Sequence, residues 1–289
     1  MSCGEPFVPF PLAYDRTVVN SITRAGSVGI IAALLLSFIV LGCGSPTPPA
    51  VQTLPKLTNS LGMTFVRLPG GEFRMGDPEF RAPVHRVRVS PFSIASREVT
   101  NRQYERLVPR HRRAKESPRD DDPVTRVTLR EAKAFAALLS KREGRSYRLP
   151  TDAEWEYAAR GGLDGKRFPW GDEASDRLMN TGTGRATKVG SFPPNAFGLY
   201  DLVGNAGEWI LDGELEFSPF MANSVSLDPL VPSHVKGLAL HRGGTFLDSF
   251  PFVWFAASSV DDPDPDLFPD VGIRLVLPRE STAEAGLKG

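Results

Sequence analysis

Cysteine is nearly absent: the 289 residues carry two, Cys3 and Cys43. A disulfide-stapled scaffold is therefore excluded, and so is a zinc site built on two or more thiolates. Histidine is scarce as well. The four (His85, His111, His234 and His241) are isolated in sequence and form no metal motif at helical spacing. Charge of either sign in excess is missing, since 34 basic residues face 34 acidic ones, which removes any general electrostatic pull toward nucleic acid. There is no internal repeat. What is abundant is glycine, at 27, and proline, at 26, which points to many turns and short elements. Hydrophobic residues at 41% and charged residues at 24% are ordinary for a globular chain, so wholesale disorder is excluded. The length suits one large domain or two small ones.

The one strongly apolar run is Gly26–Leu41, uncharged, with Arg24 just before it. It is short for a membrane-spanning helix, which needs about 20 residues. A positive residue, a short apolar stretch and a small residue before a cut together make a secretory signal. The run ends in Val40-Leu41-Gly42-Cys43, which resembles the bacterial lipobox, where the thiol is acylated and becomes the new N-terminus. Residues 1–42 are accordingly expected to be a lipoprotein-type signal peptide and Cys43 the lipidation site. Gly44-Ser-Pro-Thr-Pro-Pro-Ala50 follows, a Pro/Ser stretch that cannot pack, and residues 43–58 are expected to be the lipidated cysteine and its tether. Gly44 after the cysteine, by resemblance to Gram-negative lipoproteins, implies an outer-membrane destination.

From Leu61 the pattern turns globular. Met63–Leu68 alternates like a strand, Pro69-Gly70-Gly71 reads as a tight turn, and Glu72–Met75 is predicted to return as the second arm of a hairpin. His85–Val89 alternates again. Thr100 with Gln103 three residues on opens a predicted helix over Asn101–Val108, stopped by Pro109. Thr128 and Glu131 open a second, with Ala132, Phe135, Ala136 and Leu139 on one face and Gly144 as its C-terminal cap. Thr151 and Glu154 open a third, ending at Gly161-Gly162. His241–Phe246 and Gly272–Leu277 are predicted strands, and 280–289 a frayed tail. Arg110–Arg119 is a basic loop whose charge Asp120-Asp121-Asp122 cancels locally. Asp261–Asp266 reads as a solvated acidic loop.

The stretch Tyr147-Arg-Leu-Pro-Thr-Asp-Ala-Glu-Trp-Glu-Tyr-Ala-Ala-Arg-Gly-Gly162 sits in register with Phe168-Pro-Trp-Gly171, Ser191–Asn195, Gly198–Asn205 and Glu208-Trp209. Pro69–Gly76, Glu98–Tyr104 and Arg242-Gly-Gly244 extend the match. These motifs closely resemble the formylglycine-generating (sulfatase-modifying factor) family. The resemblance covers residues 59–279 and implies an α+β, C-type-lectin-like fold, loop-rich with short strands and few helices. Trp155, Tyr157, Trp170 and Trp209 are the large anchors expected in such a core.

The family's oxidases use two cysteines after the Gly-Gly-Ser/Thr strand to hold Cu(I), a soft ion that prefers sulfur. Here Asp248 falls at the first of those positions and Val253 near the second, and Phe255–Ser259 lacks the arginine that follows in the family. Copper is therefore not expected as a cofactor. A non-haem iron branch of the family needs clustered histidines, which this chain does not show. Asp201, Gly204, Ala206 and Glu208 match the positions of a family calcium site, two carboxylates flanking a turn whose carbonyls at 204 and 206 supply hard oxygens. Gly207 replaces a tryptophan common there and is expected to loosen that turn. The resemblance places a second calcium site at Asn180, but the residues that should follow are absent from Thr181–Thr187.

Taken together, the residues lead us to expect a surface-tethered lipoprotein with a catalytically emptied domain. Its partners are the membrane, through the anchor, and an envelope protein or peptide, not nucleic acid. Two alternatives stand beside it: a family oxidoreductase with altered metal chemistry, and formylglycine generation on sulfatases.

Overall fold

The structure, a computed structural model, describes residues 46–77, 80–212, 225–230, 239–248 and 269–278. The expected signal peptide, Cys43, Val253, Phe255–Ser259, the acidic loop 261–266, His234 and the tail 280–289 lie outside them. Among the described residues, ten strands and three helices follow in chain order: β1 (Lys56–Thr58), β2 (Thr64–Leu68), β3 (Gly71–Asp77), β4 (Phe80–Val89), β5 (Phe92–Ala95), α1 (Asn101–Glu105), α2 (Leu129–Glu143) and α3 (Asp152–Arg160). The rest are very short: β6 (Gly207–Trp209), β7 (Ser226–Leu227), β8 (His241–Arg242), β9 (Val271–Gly272) and β10 (Val276–Pro278).

The central antiparallel sheet has the order β1-β2-β5-β10. Side chains alternate across a strand, and here both faces are apolar. Phe65 and Val66 are neighbours, and both are fully buried. Phe65, Ala95, Leu275 and Leu277 face one hydrophobic cluster, with Ala132, Phe135, Ala136 and Leu139 of α2. Val66, Leu68, Phe92, Ile94 and Val276 face the other, with Trp155, Tyr157 and Ala158 of α3. The sheet is thus a partition between two cores.

The helix signals read from sequence are realised in detail. Thr128 and Thr151 accept hydrogen bonds from the backbone N–H groups of Glu131 and Glu154, whose carboxylates accept from the N–H groups of Thr128 and Thr151 in return. Gly144 (φ 64°) and Gly161 (φ 59°) close α2 and α3 in the left-handed conformation. The first helix is shorter than predicted: it ends at Glu105, and the N–H groups of Leu107 and Val108 both donate to the Tyr104 carbonyl.

Two expectations give way. β2 and β3 do not form a hairpin; β3 pairs with β4 and belongs to a different sheet, β3-β4-β7. Gly70 and Gly71 (φ 71° and 147°) carry the chain from one sheet to the next. Gly70 approaches the neighbouring strand so closely that a Cβ would lie 2.5 Å from the Val89 carbonyl oxygen. The second concerns the tether. Packing starts before Asn59: β1 pairs with β2 in register Lys56↔Val66, and the Gln52 N–H donates to the Ala196 carbonyl at 2.7 Å. Leu54 packs on the core. An apolar residue followed by a short extended run outweighs the surrounding prolines.

Candidate functional site

A third small sheet, β8-β6-β9, carries Glu208, His241 and Arg242. It opens with the turn Asp201–Ala206, where Asp201 (φ 54°) and Asn205 (φ 62°) adopt left-handed backbone. Such geometry in non-glycine residues is uncommon and persists only where surrounding contacts enforce it. They do here. Asn205 donates to Glu98 Oε2 at 2.8 Å and accepts from Asn180 Nδ2 at 3.0 Å, and the Ala206 N–H donates to Glu98 Oε1 at 2.9 Å. Asn180, whose surroundings in sequence argued against a second calcium site, is thereby spent on the turn itself.

Asp201, Glu98 and Glu208 are all buried, and one guanidinium, that of Arg274, lies among them. Arg274 grips Glu208 through Nε at 2.9 and 2.8 Å and Nη2 at 2.6 Å, and Trp155 Nε1 donates to Glu208 Oε2 at 2.6 Å. The remaining Arg274 donors reach the carbonyls of Ala95 and Tyr200. Asp201 Oδ2 accepts from the Gly190 N–H, while Oδ1 is buried without a hydrogen-bond partner. Burial pushes the Asp201 carboxyl up to about 6. Burial, then the charges of Asp201 and Glu208, push Glu98 well above the usual carboxylate range. Arg274, and at Asp201 also Arg97, oppose this shift, while burial favours the protonated, neutral form of Asp201 and Glu98.

The expected calcium set is therefore split. Asp201 retains an unbonded buried oxygen, as a cation ligand should. Glu208 does not, because Arg274 and Trp155 take both its oxygens. Sequence reading missed Glu98, Arg274 and the indole of Trp155 as parts of this centre. A signal was present: Arg274 is the one charged residue in Gly272–Leu277, and a lone arginine in an apolar strand needs a buried acid.

Gly207 is not the source of slack that its sequence position suggests. It lies in β6, buried, with its N–H on the Asp270 carbonyl. A Cβ there would fall 2.8 Å from His241 Nδ1 and 3.2 Å from Thr245 Cγ2. His241, buried and edge-on to Trp209 at 5.8 Å, lies against the space a side chain at 207 would enter.

The strand that should lead to the copper thiols ends in a closed polar turn. Thr245 N–H donates to Asp248 Oδ2 at 2.9 Å, the Asp248 N–H returns to the Thr245 carbonyl at 3.2 Å, and Thr245 Oγ1 donates to Asp270 Oδ2 at 2.8 Å. Asp248 thus works as a turn-capping carboxylate, a hard oxygen group where a soft sulfur would be needed. Among the described residues no group of three or more His, Cys, Asp or Glu side chains is placed to hold a metal ion. Arg242, of the Arg-Gly-Gly motif, is buried and paired with Asp152 and Glu156, which also holds Arg160. Within the basic loop, Arg113 pairs with Glu105 and Asp120, Lys115 with Glu116 and Arg119 with Asp122.

Comparison with known proteins agrees with this architecture. The sulfatase-modifying factor enzyme 1-like domain matches residues 51–279. The formylglycine-generating enzyme of Streptomyces coelicolor is 32% identical over 275 aligned positions, covering 69% of this chain and 84% of its own. The bovine inactive C-alpha-formylglycine-generating enzyme 2 is 31% identical over 223 positions, covering 53% and 72%. The structure of PvdO from Pseudomonas aeruginosa superposes with a TM-score of 0.65 at 27% identity, over 79% of this chain and all of PvdO. Family, fold and order of motifs coincide, and the chain belongs to the sulfatase-modifying factor, or formylglycine-generating enzyme, family, with its loop-rich α+β fold.

Proposed function

We propose that this protein is an exported lipoprotein, acylated at Cys43 and held at the outer membrane, whose domain binds an envelope protein or peptide and does not oxidise it. The observation that carries this reading is Asp248. At the position where the family's oxidases place their first copper thiol, the carboxylate is built into the turn of Thr245. The chain's two cysteines, Cys3 and Cys43, both precede the family domain, so no thiol within it can stand in. A relative that carries the word inactive in its name shows that the family includes non-catalytic members.

The test is direct. The acylated protein, drawn from envelopes under mild detergent, should bring a stoichiometric partner with it. It should contain no stoichiometric copper and consume no oxygen with a thiol peptide. Copper at one equivalent, or thiol-driven oxygen uptake, would replace this reading with an oxidase.

The domain also fits one calcium ion. Asp201 would hold it through the oxygen that lacks a partner, with the carbonyls of Gly204 and Ala206. Glu208 contributes charge while staying on Arg274. When bound, the ion would add positive charge beside Glu98, Asp201 and Glu208. The chain's part is to keep the turn in left-handed backbone through Asn205 and Glu98, so that the free oxygen of Asp201 stays aimed inward.

A further inference from the structure

Part of the stretch read from sequence as a tether lies in a cleft of the domain. Pro48 and Pro49 line it together with Pro169, Trp170, Pro193 and Pro194. The walls are set by contacts of their own. Phe168 and Gly171 exchange backbone hydrogen bonds at 2.8 and 3.1 Å, which closes the turn that carries Pro169 and Trp170. Trp170 stacks on Phe168 at 5.1 Å, the rings 4° apart, and its Nε1 donates to the Glu173 carbonyl at 2.7 Å. Pro193 and Pro194 lead into Asn195, whose Nδ2 donates to the carbonyls of Ala158 and Ala159 in α3. Its Oδ1 accepts from the N–H groups of Phe197 and Leu199. An aromatic-lined groove, held in place before a ligand arrives, is a general means of binding proline-rich segments.

Pro48 and Pro49 suit such a wall for two reasons. Proline has no N–H to leave unsatisfied against an apolar surface. Thr47 and Pro48 each precede a proline, which disfavours helical backbone, so the segment is extended before it docks.

The segment is nevertheless lightly held. Thr47, Pro48 and residues 50–53 are exposed, and Pro49 is half-buried. Among the described residues one backbone hydrogen bond ties residues 46–54 to the rest of the domain, from the Gln52 N–H to the Ala196 carbonyl at 2.7 Å. Val51 passes Gly198, its Cγ1 3.4 Å from where a Cβ would stand there, and is still 49% exposed. Firmer attachment begins with Leu54, which packs on the core, and with β1. A fixed groove thus holds a ligand that few contacts retain.

From these observations we propose that the cleft between Trp170 and Pro193-Pro194 is a site for proline-rich peptide. Pro48 and Pro49 are its resident ligand in cis, and a proline-rich segment of the envelope partner takes their place. The proposal rests on the reading of the domain as a binding module and names the chemistry of what it binds.

The test uses the processed full chain and a synthetic peptide of residues 45–53. In the unsubstituted chain, excess peptide should displace the segment and speed hydrogen exchange at the Gln52 amide, a readout that needs no variant to fold. The chain is also labelled with fluorotryptophan, and Trp170→Phe identifies the Trp170 signal among the four. Pro48→Ser with Pro49→Ser should move that signal and leave those of buried Trp155 and Trp209, which report an intact fold. The peptide should then bring the Trp170 signal back at a concentration about tenfold or more below that required by the unsubstituted chain, because the cis ligand no longer competes. A Trp170 signal unmoved by the serine pair overturns the proposal. So does a peptide that moves neither readout, or one with alanine at its three prolines that works as well. Excess peptide should also release the partner drawn from envelopes. A stoichiometric partner that stays bound overturns the cleft as its site and leaves the binding reading standing. Absence of any partner overturns that reading, and the peptide titration then judges the cleft by itself.

Discussion

Gly207 and His241 form a complementary pair. The close approach of a Cβ to Nδ1 and to Thr245 predicts that Gly207→Ala is destabilising by about 1–3 kcal/mol, as overpacking of a close-packed interior generally is. His241→Ala should relieve part of that cost, and a double-mutant cycle followed by urea denaturation should show coupling of about 0.5–3 kcal/mol. Strict additivity would mean the two residues do not compete for space. His111 offers a test in pH. Burial holds its imidazole below the ordinary value of about 6.5, against the opposing pull of Glu105 and Glu131, and its Nε2 is buried without a partner. The folded state therefore binds the proton less readily than the unfolded chain. The resulting stability is present above the ordinary value and lost as pH falls through the depressed one. His111→Phe, which keeps the edge-on contact with Tyr104, should flatten the acid limb of the stability curve. An unchanged limb would assign it to the carboxylates instead. At this scale the sequence was only partly readable. Thr245 and Asp248 were visible as departures from the family, but their mutual hydrogen bonds and the Glu98–Arg274 centre join residues far apart in the chain, which no local pattern reveals.

The helices were the most legible elements. A threonine, a glutamate three residues later and a glycine at the far end are local signals whose hydrogen bonds close within one turn. Thr128→Ala and Thr151→Ala should each cost about 1 kcal/mol, measured by chemical denaturation. Thr151 carries more consequence, since α3 presents Trp155 to Glu208 and Glu156 to Arg242. The strands were less legible for a physical reason. β2 buries Phe65 on one face and Val66 and Leu68 on the other, so its pattern does not say which neighbour it pairs with. The Gly70-Gly71 turn has the composition of a hairpin but serves to change sheets. The Asp201–Ala206 turn yields a further prediction. If calcium binds beside Asp201, chelator should lower the melting temperature and added calcium restore it, because an ion bound only by the folded state stabilises it. Asp201→Asn should erase that response. A melting curve indifferent to both chelator and calcium would leave the counter-charge to Arg274 and Arg97.

For the molecule as a whole, composition had announced the architecture. Scarce cysteine and abundant glycine and proline implied a loop-rich domain without staples, and the ordered motifs placed it in its family. The partition of the interior was not visible, because it depends on which strands share the central sheet. Since both cores rest on that sheet, they should melt together. Calorimetry of the domain should show one transition whose van't Hoff and calorimetric enthalpies agree. Two resolved steps would mean that the cores are independent.

The order of the central sheet carries one more implication. It sets β1 and β2, from the start of the domain, and β10, from its far end, on either side of β5. Val276 is also bridged to Arg148, ahead of α3. Neither core is roofed until the last stretch of polypeptide has arrived. A newly made chain must therefore leave both cores open until residues 276–278 have joined the sheet, however early the other strands pair.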